Sequence, residues 1–423
     1  MSTEALLHIE GGVCLQGQVQ VQGAKNAALP MIAASLLASE GQTVLHQVPP
    51  VKDVLVALEV LRQLGARVQY EPREGTAVID ATTITSTRLP AELTGRLRAS
   101  ILFVGPLLGR FRQAQIEEVG GCTIGQRPVD FHYRGFARLG ASVEGLRGGG
   151  IQVSAPALEG GFMYCDVPSH TGVENLVMAS SLARGESIIE NAASDPEIED
   201  FALLMAKMGA KVEGVGSRTV RITGVDKLHG AEHTVMPDRL DAGLLMMAGA
   251  ITGGDISLKG VRREHLRIFE AKLQQMGVDL SEEGEWLRVR RSGPLSPINV
   301  VTTFHPGFPT DLQPCITALS CIAQGDSYIR ETVFEDRFGH IKALRAFGAK
   351  LSPEKDRLVI VHGPAQLKGA KVKALDIRAG GAAVLAGLAA QGHTTIANLY
   401  QLDRGHAFLD ERLRGLGAHV ERS

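Results

Sequence analysis

One cysteine of the sequence stands in a setting suited to chemistry. Cys122 follows two glycines in the stretch VGGCTIGQRPVDFH, residues 119–132, and Arg127 and Asp130 come soon after it. A thiol acts as a proton donor or nucleophile when nearby cations or backbone amides lower its pKa toward the working pH. Taken alone, the stretch fits either a reactive thiol in a glycine-rich loop or a small apolar residue after a turn.

Further polar residues recur where helices are predicted to begin. Helix N-termini carry free backbone N–H groups and a partial positive charge, and arginine binds carboxylate or phosphate bidentately. Several such starts on one surface predict an anion-binding cleft; the alternative is that these residues only cap their helices. The residues are Lys25, Asn26, Arg98, Arg127, Asp130, Ser169, His170, Thr171, Asp195, Glu197, Asp238, Arg239, Asp311, Arg337, Asp376, Arg378 and Arg404.

The composition argues against several classes of function. Lys and Arg number 44 against 46 Asp and Glu, which is not the basic excess of a general nucleic-acid binder. No HExxH, paired-histidine or Walker pattern is present, so neither a metal nor a nucleoside triphosphate site is predicted. The chain starts without a basic segment before an apolar run, and its apolar windows are too short to span a bilayer. The five cysteines form no CxxC pair, so a cytoplasmic protein with reduced thiols is expected.

A repeat organises the chain. An apolar residue, a glycine, a small residue and a β-type run recur six times at intervals of about 70 residues. Each copy ends an amphipathic stretch, so its glycine is predicted to adopt the left-handed conformation at a helix C-terminus. The copies are LGARV (64–68), LGASV (139–143), MGAKV (208–212), MGVDL (276–280), FGAKL (347–351) and LGAHV (416–420).

A second pattern precedes the first by about 35–40 residues. It is a helical stretch rich in small residues, closed by glycine and a strand, as in AGGAAVLAGLAAQGHTTIANL. Each unit therefore reads helix, strand, helix, strand, strand, and three units bury their faces by packing around a common axis with these helices inside. The six units predict two α/β domains, 22–230 and 1–21 plus 231–423, because the N-terminal strand completes the last unit by count.

Nine motifs in register carry a resemblance to a known family. The chain resembles the UDP-N-acetylglucosamine 1-carboxyvinyltransferase family of enolpyruvyl transferases over nearly all of its length. The resemblance implies two inverted, inside-out α/β barrel domains of three repeated units about a pseudo-threefold axis, with the active site in the cleft between them. The motifs are GAKNAALP (23–30), RLRAS (96–100), GGCTIGQRPVDFH (120–132), ENAASDPEI (190–198), PDR (237–239), FPTDLQ (308–313), ETVFEDRF (331–338), DIRAG (376–380) and LDRGH (402–406).

The resemblance also implies a reaction. The family transfers the enolpyruvyl group of phosphoenolpyruvate to the sugar 3′-hydroxyl and releases phosphate, through a tetrahedral ketal and without a metal or organic cofactor. This is the first committed step of peptidoglycan synthesis. Both substrates are small molecules, so neither a nucleic-acid nor a membrane partner is expected, and the sequence leaves the oligomeric state open.

Three residues receive catalytic roles from the resemblance. Cys122 matches the loop cysteine that donates a proton, can add covalently to phosphoenolpyruvate and is the target of fosfomycin. Asp311 matches the residue proposed to take the sugar hydroxyl proton, although its position also suits a helix N-cap. Lys25 matches a basic residue at the reacting phosphoenolpyruvate.

The remaining matches are ligand contacts. For the basic residues the alternative is solvated surface charge, and for Val129 and Val333 it is ordinary packing. The residues matched to phosphoenolpyruvate are Lys25, Asn26, Arg98, Arg127 and Arg404. Those matched to the UDP-sugar are Asn26, Arg98, Pro128, Val129, Asp130, Ser169, Asp311 and Val333, and further cleft residues are Arg337, Asp376 and Arg378.

Three departures from the family pattern concern ligand binding. Residues 167–172 read Val-Pro-Ser-His-Thr-Gly where the family commonly has Lys-Val-Ser-Val-Gly-Ala, so a lysine expected at the diphosphate is absent. Val119 stands where a proline often precedes the two glycines, which predicts a looser loop. Gln126 and Phe131 are milder changes near the expected uracil site. His170 is predicted to lie either beside the diphosphate or on the surface.

Three other functions compete with this one. A 5-enolpyruvylshikimate-3-phosphate synthase would share the fold, but that family starts its first helix with a Gly-Ser-Lys-Ser type motif and lacks the GGC loop. An enolpyruvyl transferase acting on another sugar nucleotide fits the departure at 167–172. A non-catalytic paralogue would bind a sugar nucleotide without releasing phosphate, which the retained Cys122 and Asp311 argue against.

Overall fold

The computed structural model describes residues 5–120, 129–146 and 150–423. Most of the residues singled out above fall within these ranges. Those that lie outside the described residues are Cys122, Gln126, Arg127 and Pro128.

The chain separates into two compact units. The N-terminal unit comprises the described residues from Gly23 to Met236, and the C-terminal unit comprises residues 5–22 and 237–423. No helix in the described ranges has the length and apolarity that a membrane span requires.

Strands β1 (Leu7–Glu10) and β2 (Gln16–Gln20) come first in the chain and belong to the C-terminal unit. The N-terminal unit then alternates helices with short strands. Its helices are α1 (Lys25–Ala34), α2 (Lys52–Leu64), α3 (Ala91–Thr94), α4 (Val104–Phe111), α5 (Asp130–Arg138), α6 (His170–Ser180) and α7 (Pro196–Lys207), with 3-10 turns at Ser35–Leu37 and Arg98–Phe103. Its strands are β3 (Ala38–Glu40), β4 (Thr43–His46), β5 (Arg67–Glu71), β6 (Thr76–Asp80), β7 (Gln113–Ile116), β8 (Ser142–Gly145), β9 (Ile151–Ser154), β10 (Phe162–Tyr164), β11 (Glu186–Glu190), β12 (Lys211–Glu213), β13 (Thr219–Thr223), β14 (Leu228–His229) and β15 (Glu232–Thr234).

The rest of the C-terminal unit repeats this alternation. Its helices are α8 (Arg239–Thr252), α9 (Arg267–Gln275), α10 (Gln313–Ser320), α11 (Gly339–Ala346), α12 (Ile377–Ala389), α13 (Leu399–Asp403) and α14 (Leu409–Gly415), with 3-10 turns at Arg263–His265 and Thr310–Leu312. Its further strands are β16 (Asp255–Lys259), β17 (Asp279–Glu283), β18 (Trp286–Arg290), β19 (Asn299–Val301), β20 (Asp326–Arg330), β21 (Lys350–Glu354), β22 (Leu358–His362), β23 (Lys371–Lys373), β24 (His393–Ala397) and β25 (His419–Arg422).

The sheets show the predicted repeat. Within the described residues the N-terminal unit has sheets ordered β15-β4-β6-β5, β7-β9-β8 and β10-β11-β13-β12, besides the short parallel pair β14-β3. The C-terminal unit has β17-β18-β16-β2, β19-β20-β22-β21 and β23-β24-β1-β25. Each four-stranded sheet has one parallel pair at an edge and two antiparallel pairs, for example β19-β20 followed by β20-β22 and β22-β21. Strand β1 pairs with both β24 and β25, so it lies inside the last sheet.

The repeat glycines have the backbone conformation that the pattern predicts. Each follows an outer helix, and its positive φ lets the chain turn back into a strand without the steric cost of a Cβ atom. The six residues and their φ angles are Gly65 (106°), Gly140 (90°), Gly209 (100°), Gly277 (95°), Gly348 (91°) and Gly417 (89°). The predicted α/β fold of repeated units is thus confirmed at the residues that defined it.

The helices rich in small residues form the interior of each unit. Helices α8, α10 and α12 contact one another, and α10 is buried along its whole length. A Cβ atom on Gly381 of α12 would lie 3.3 Å from Cys315 Sγ of α10 and 3.4 Å from a Leu244 methyl of α8. The glycine therefore permits close packing of the three helices.

Candidate active site

Asp311 is the centre of a charged cluster in the C-terminal unit. Its Oδ2 accepts hydrogen bonds from Arg378 Nη2 at 2.7 Å and Nε at 3.1 Å. Arg337 Nη2 lies 2.6 Å from its Oδ1. Both arginine side chains are 7% exposed, and the Asp311 side chain is 24% exposed. The carboxylate thus keeps a face toward solvent while two guanidiniums hold its position.

This environment lowers the proton affinity of Asp311. Burial alone would raise the pKa of the carboxyl, but the charges of Arg378 and then Arg337 outweigh burial and hold the pKa well below its usual range. Asp311 is also not a helix cap, because Pro309 occupies the N-cap of the 3-10 turn and no side chain caps it. The capping alternative is therefore wrong for this residue. Its carboxylate does not cap the backbone of the 3-10 turn.

A buried glutamate extends the cluster toward Val333. Arg337 Nη1 donates to Thr310 Oγ1 at 2.8 Å, and the same hydroxyl donates to Glu331 Oε2 at 2.8 Å. Glu331 is fully buried, and its Oε1 accepts from the backbone N–H groups of Val333 at 2.8 Å and of the next residue at 3.1 Å. Val333 is thus held by its backbone, which leaves its side chain available to contact a ligand.

Two other acidic residues of this unit serve as caps. The Asp376 carboxylate accepts from the backbone N–H groups of Arg378 at 2.8 Å and Ala379 at 3.0 Å, and so caps α12. Asp238 caps α8 in the same way through Leu240 N–H at 2.8 Å. For these two residues the capping interpretation is correct, and Asp376 places Arg378 at the first turn of its helix.

Lys25 is paired with an acid that the motifs did not single out. It opens α1, and its Nζ lies 3.2 Å from Asp53 Oδ2 in the first turn of α2. The Lys25 side chain is only 11% exposed and that of Asp53 only 5%. Asn26 follows on the same first turn and is partly buried. The Lys25 ammonium is buried and held in place by its ion pair. This arrangement fits a residue that contacts an anion, and it does not fit the alternative of a solvated surface charge.

The glycine that enters the cysteine loop packs on the segment carrying Arg98. Gly120 N–H donates to Thr94 O at 3.0 Å. A Cβ atom on Gly120 would lie 2.9 Å from Leu97 backbone atoms and 3.0 Å from Arg98 N. Since real Cβ atoms are essentially never closer than 3.0 Å to such neighbours, glycine is needed at this position. The chain two residues before Cys122 is therefore fixed against the backbone of Arg98.

For the reaction that the resemblance implies, substitution of Gly120 by alanine is expected to lower kcat/KM for phosphoenolpyruvate by about tenfold or more. The added methyl group forces residue 120, two positions before Cys122, away from the Arg98 segment, and a displacement of about 1 Å at a reacting group costs up to about 100-fold. Steady-state kinetics measures the effect. Gly145→Ala is the matched control because no atom of the described residues lies within 4 Å of a Cβ atom there. Equal kinetic constants for both variants would contradict this account of the loop entry.

Hydrogen bonds of His132 and Asn175 connect helices α5 and α6 with the 3-10 turn that begins at Arg98. Asn175 Nδ2 donates to His132 Nδ1 at 3.0 Å and to Ile101 O at 2.9 Å, while its Oδ1 accepts from Gly105 N–H at 2.8 Å. Because Nδ1 accepts a hydrogen bond, the neutral His132 carries its proton on Nε2. Burial, and secondarily the charge of Arg98, lower the pKa of His132 to about 3. His132 is therefore a neutral structural residue at neutral pH.

Three of the expected UDP-sugar contacts, Val129, Asp130 and Ser169, lie at two helix starts of the N-terminal unit. Val129 is the N-cap residue of α5, and Asp130 forms an exposed ion pair with Arg134 at 3.1 Å. Ser169 caps α6, its Oγ accepting from Gly172 N–H at 3.2 Å. The altered stretch at 167–172 thus still starts a helix at His170, although it lacks the family's lysine.

Phe131, one of the sequence departures, packs against that helix start. A Cβ atom on Gly172 would lie 2.3 Å from Phe131 Cε2. The phenylalanine ring therefore fits in this position because residue 172 is a glycine. The ring centroid also lies 4.4 Å from that of His132. Phe131 therefore connects α5 with the first turn of α6, which gives this departure a packing role.

His170 faces a buried acid. Its Nδ1 lies 3.6 Å from Glu174 Oε2, and its side chain is 24% exposed, so the imidazole is partly buried. Glu174 is fully buried, and neither of its oxygens has a hydrogen-bond partner in the described part of the chain. Burial first, and then the charges of Glu197 and Asp195, raise the pKa of Glu174 well above its usual value.

Glu174→Gln is expected to stabilise the protein at high pH. Since the folded pKa is raised, the folded chain binds a proton more tightly than the unfolded chain, and stability falls as pH rises above the unfolded pKa of about 4.3. Glutamine removes this penalty. Thermal unfolding should give similar melting temperatures for wild type and variant at pH 5 and a higher value for the variant at pH 8. A lower melting temperature of the variant at pH 8 would contradict the raised pKa.

Three other thiols of the described chain are poor candidates for chemistry because they are buried. Cys165, Cys315 and Cys321 are buried. Burial raises the pKa of Cys165 to about 11 and the pKa values of Cys315 and Cys321 to about 12. These thiols stay protonated near neutral pH and are unreactive.

The structure groups some of the predicted site residues and leaves others apart. In the C-terminal unit it brings Asp311, Arg337 and Arg378 into contact, with Val333 joined through Glu331. In the N-terminal unit Lys25 pairs with Asp53. Sequence reasoning missed Asp53 and Glu331, although Glu331 opens the motif ETVFEDRF. Their pairings span 28 and 21 residues, so no local pattern indicates them.

The chain belongs to the EPSP synthase family of enolpyruvyl transferases. The family described as EPSP synthase (3-phosphoshikimate 1-carboxyvinyltransferase) matches residues 9–413. Within the family the expected resemblance is confirmed. The chain is 49% identical to the UDP-N-acetylglucosamine 1-carboxyvinyltransferase of Thermobifida fusca, over 100% of this chain and 99% of that protein. It is 46% identical to UDP-N-acetylglucosamine 1-carboxyvinyltransferase 1 of Staphylococcus epidermidis, over 98% of each.

Solved structures agree on the fold. The enolpyruvyl transferase NikO from Streptomyces tendae superimposes with a TM-score of 0.90 at 26% identity, covering 99% of each chain. The EPSP synthase of Acinetobacter baumannii has a TM-score of 0.77 at 20% identity over the full length of both chains. The predicted fold class, with its inside-out α/β domains, is confirmed.

Proposed function

We propose that this protein is a UDP-N-acetylglucosamine 1-carboxyvinyltransferase (EC 2.5.1.7). It transfers the enolpyruvyl group of phosphoenolpyruvate to the 3′-hydroxyl of UDP-N-acetylglucosamine, as the first committed step of peptidoglycan synthesis in the cytoplasm. The supporting observation is the Asp311 carboxylate, which Arg337 and Arg378 hold at 2.6 and 2.7 Å with one face open, in a chain 49% identical to a protein named for this reaction. The proposal requires residues of both units to act on one pair of substrates.

The first step is an addition. The Cys122 thiol donates its proton to the methylene carbon of phosphoenolpyruvate, and the sugar 3′-oxygen bonds to the neighbouring carbon as Asp311 takes the hydroxyl proton. Asp311 is a weak base because of its low pKa, but it is fully ionised at neutral pH. The attacking hydroxyl becomes acidic as the carbon gains positive charge, so a fixed carboxylate suffices.

The second step is an elimination. The bond between carbon and the phosphate oxygen breaks as the Cys122 thiolate takes a proton back from the methyl group. The enolpyruvyl ether and phosphate are formed, and the proton held by Asp311 leaves with the phosphate. Lys25, Arg98, Arg127 and Arg404 bind the phosphate and carboxylate groups, while Arg337 and Arg378 hold Asp311 in position. Asn26, Pro128, Val129, Asp130, Ser169 and Val333 contact the nucleotide sugar.

Product analysis tests the proposal. Mass spectrometry of a reaction with both substrates should reveal the enolpyruvyl ether of UDP-N-acetylglucosamine, formed in equal amount with phosphate. Binding of the nucleotide sugar without any ether would instead identify a non-catalytic paralogue.

A second candidate is enolpyruvyl transfer to another sugar nucleotide. It is favoured by the stretch at 167–172, where Ser169 is used as a helix cap and no lysine is present. Competition calorimetry with a panel of UDP-sugars separates the two candidates, because the preferred acceptor displaces the others at the lowest concentration.

A further inference from the structure

Gln22 makes an unusual set of contacts with the loop that follows Arg404. Its Nε2 donates to Gly405 O at 2.9 Å, and its Oε1 accepts from Ala407 N–H at 2.8 Å. A single amide thus binds the backbone on both sides of His406. The two partners are 383 and 385 residues away in the chain, so the contact is specific to the folded C-terminal unit.

The backbone of Gln22 is itself fixed. Its N–H donates to Asp241 Oδ2 at 3.2 Å, and its carbonyl oxygen accepts from Asp238 N–H at 2.8 Å. Asp241 is fully buried and binds Arg412 through both oxygens, at 2.6 and 2.9 Å. Its Oδ1 also lies 3.4 Å from Nδ1 of the buried His406. Because its backbone is held by these hydrogen bonds, Gln22 places its side-chain amide in a fixed position against residues 405–407.

The loop in turn contacts the helix that bears Arg378. A Cβ atom on Gly405 would lie 2.4 Å from Ile377 Cγ2, so Gly405 is packed closely on the first residue of α12. Arg404 stands immediately before Gly405, and its Nη1 donates to Gln401 Oε1 at 3.0 Å. Loss of the Gln22 amide would thus release the backbone at the position next to Arg404.

We propose that Gln22 is a positioning residue for Arg404: its side-chain amide fixes the backbone of residues 405–407, so that the Arg404 guanidinium is held where it binds the anionic substrate. The inference rests on the proposed function, in which Arg404 binds phosphoenolpyruvate. Nothing in the motifs assigns a role to Gln22, which lies just before GAKNAALP.

The test replaces Gln22 by methionine, which keeps the length of the side chain but cannot make either hydrogen bond. We expect kcat/KM for phosphoenolpyruvate to fall by about tenfold or more, with the KM for UDP-N-acetylglucosamine changed by less than about twofold. In an Arg404→Ala background, Gln22→Met should change kcat/KM by less than about twofold, because the group that it positions is absent. Gln20→Met is the matched control, since within the described residues the Gln20 amide donates only to Val21 O and Lys259 O.

Hydrogen exchange gives a readout that does not require turnover. Gln22→Met should speed exchange of the Ala407 amide, and Gln20→Met should not. Unchanged exchange at Ala407, or the same fold-loss of kcat/KM with and without Arg404, would overturn the inference. If wild type forms no product while Gln22→Met still speeds exchange at Ala407, the proposed function is overturned and the Gln22 contact with the loop stands.

Discussion

Replacement of Asp311 by asparagine is expected to lower kcat by about 10²–10⁴-fold, the usual contribution of a positioned general base. Asparagine keeps the size of the side chain but is a far weaker proton acceptor than a carboxylate. It also removes the negative charge shared by Arg337 at 2.6 Å and Arg378 at 2.7 Å. Two buried guanidiniums then lack this counter-charge, so the melting temperature is expected to fall as well.

Two further variants separate the chemical effect from the structural one. Asp311→Glu keeps the charge but moves the carboxylate by one methylene, so it should retain most of the stability and still lose kcat. Asp279→Asn removes an exposed carboxylate from the same unit and should leave both quantities unchanged. Steady-state kinetics and thermal unfolding measure the effects. An Asp311→Asn enzyme with kcat within about threefold of wild type would refute the assigned role.

The low pKa of Asp311 has a consequence for pH dependence. A carboxyl with a depressed pKa stabilises the fold above its unfolded value of about 3.9, and this contribution is lost as pH falls through the folded pKa. Asp311 is therefore ionised throughout the range from pH 5 to 8. A fall in kcat within that range must therefore come from another group.

Replacement of Cys122 by alanine is expected to reduce kcat by about 10²–10⁴-fold, because in the proposed mechanism its thiol is the acid that protonates the methylene carbon. It should also abolish covalent labelling by fosfomycin, which the family resemblance assigns to this thiol. Rapid-mix phosphate release and intact-protein mass spectrometry measure the two effects. Substrate binding should persist, because Lys25 and Arg98 remain in place.

Cys165→Ala is the matched control for the thiol. Cys165 is 1% exposed, and burial raises its pKa to about 11, so it has no capacity for acid–base work near neutral pH. Its removal should leave kcat unchanged and lower stability modestly through the cavity that it creates. Equal loss of activity in both variants, or fosfomycin labelling that survives in Cys122→Ala, would refute the role of Cys122.

The repeat made most of the fold predictable. The glycine of LGARV and its five copies had to adopt positive φ after an amphipathic helix, and the structure has φ between 89° and 106° at all six. The burial of α12 followed from its alanine and glycine content, and that of α10 from its other small residues. The conformation of the glycines and the burial of the helices depend on the residues that are close in the sequence, so a local sequence pattern predicts them.

The pairings within the site were less predictable. Asp311 looked suited to an N-cap, but Arg337 and Arg378, which come from other elements, bind its carboxylate. Gln22 had no motif of its own, because its partners lie near the opposite end of the chain. Such contacts depend on tertiary placement of side chains, so motifs located the charged residues without indicating which would pair.

The most direct test of the proposed reaction is phosphate release by the purified protein supplied with phosphoenolpyruvate and UDP-N-acetylglucosamine, alone and together. The account expects phosphate only when both substrates are present, in equal amount with the enolpyruvyl ether, and inhibition after incubation with fosfomycin. Phosphate release independent of the nucleotide sugar, or none with both substrates over a range of pH and salt, would contradict it.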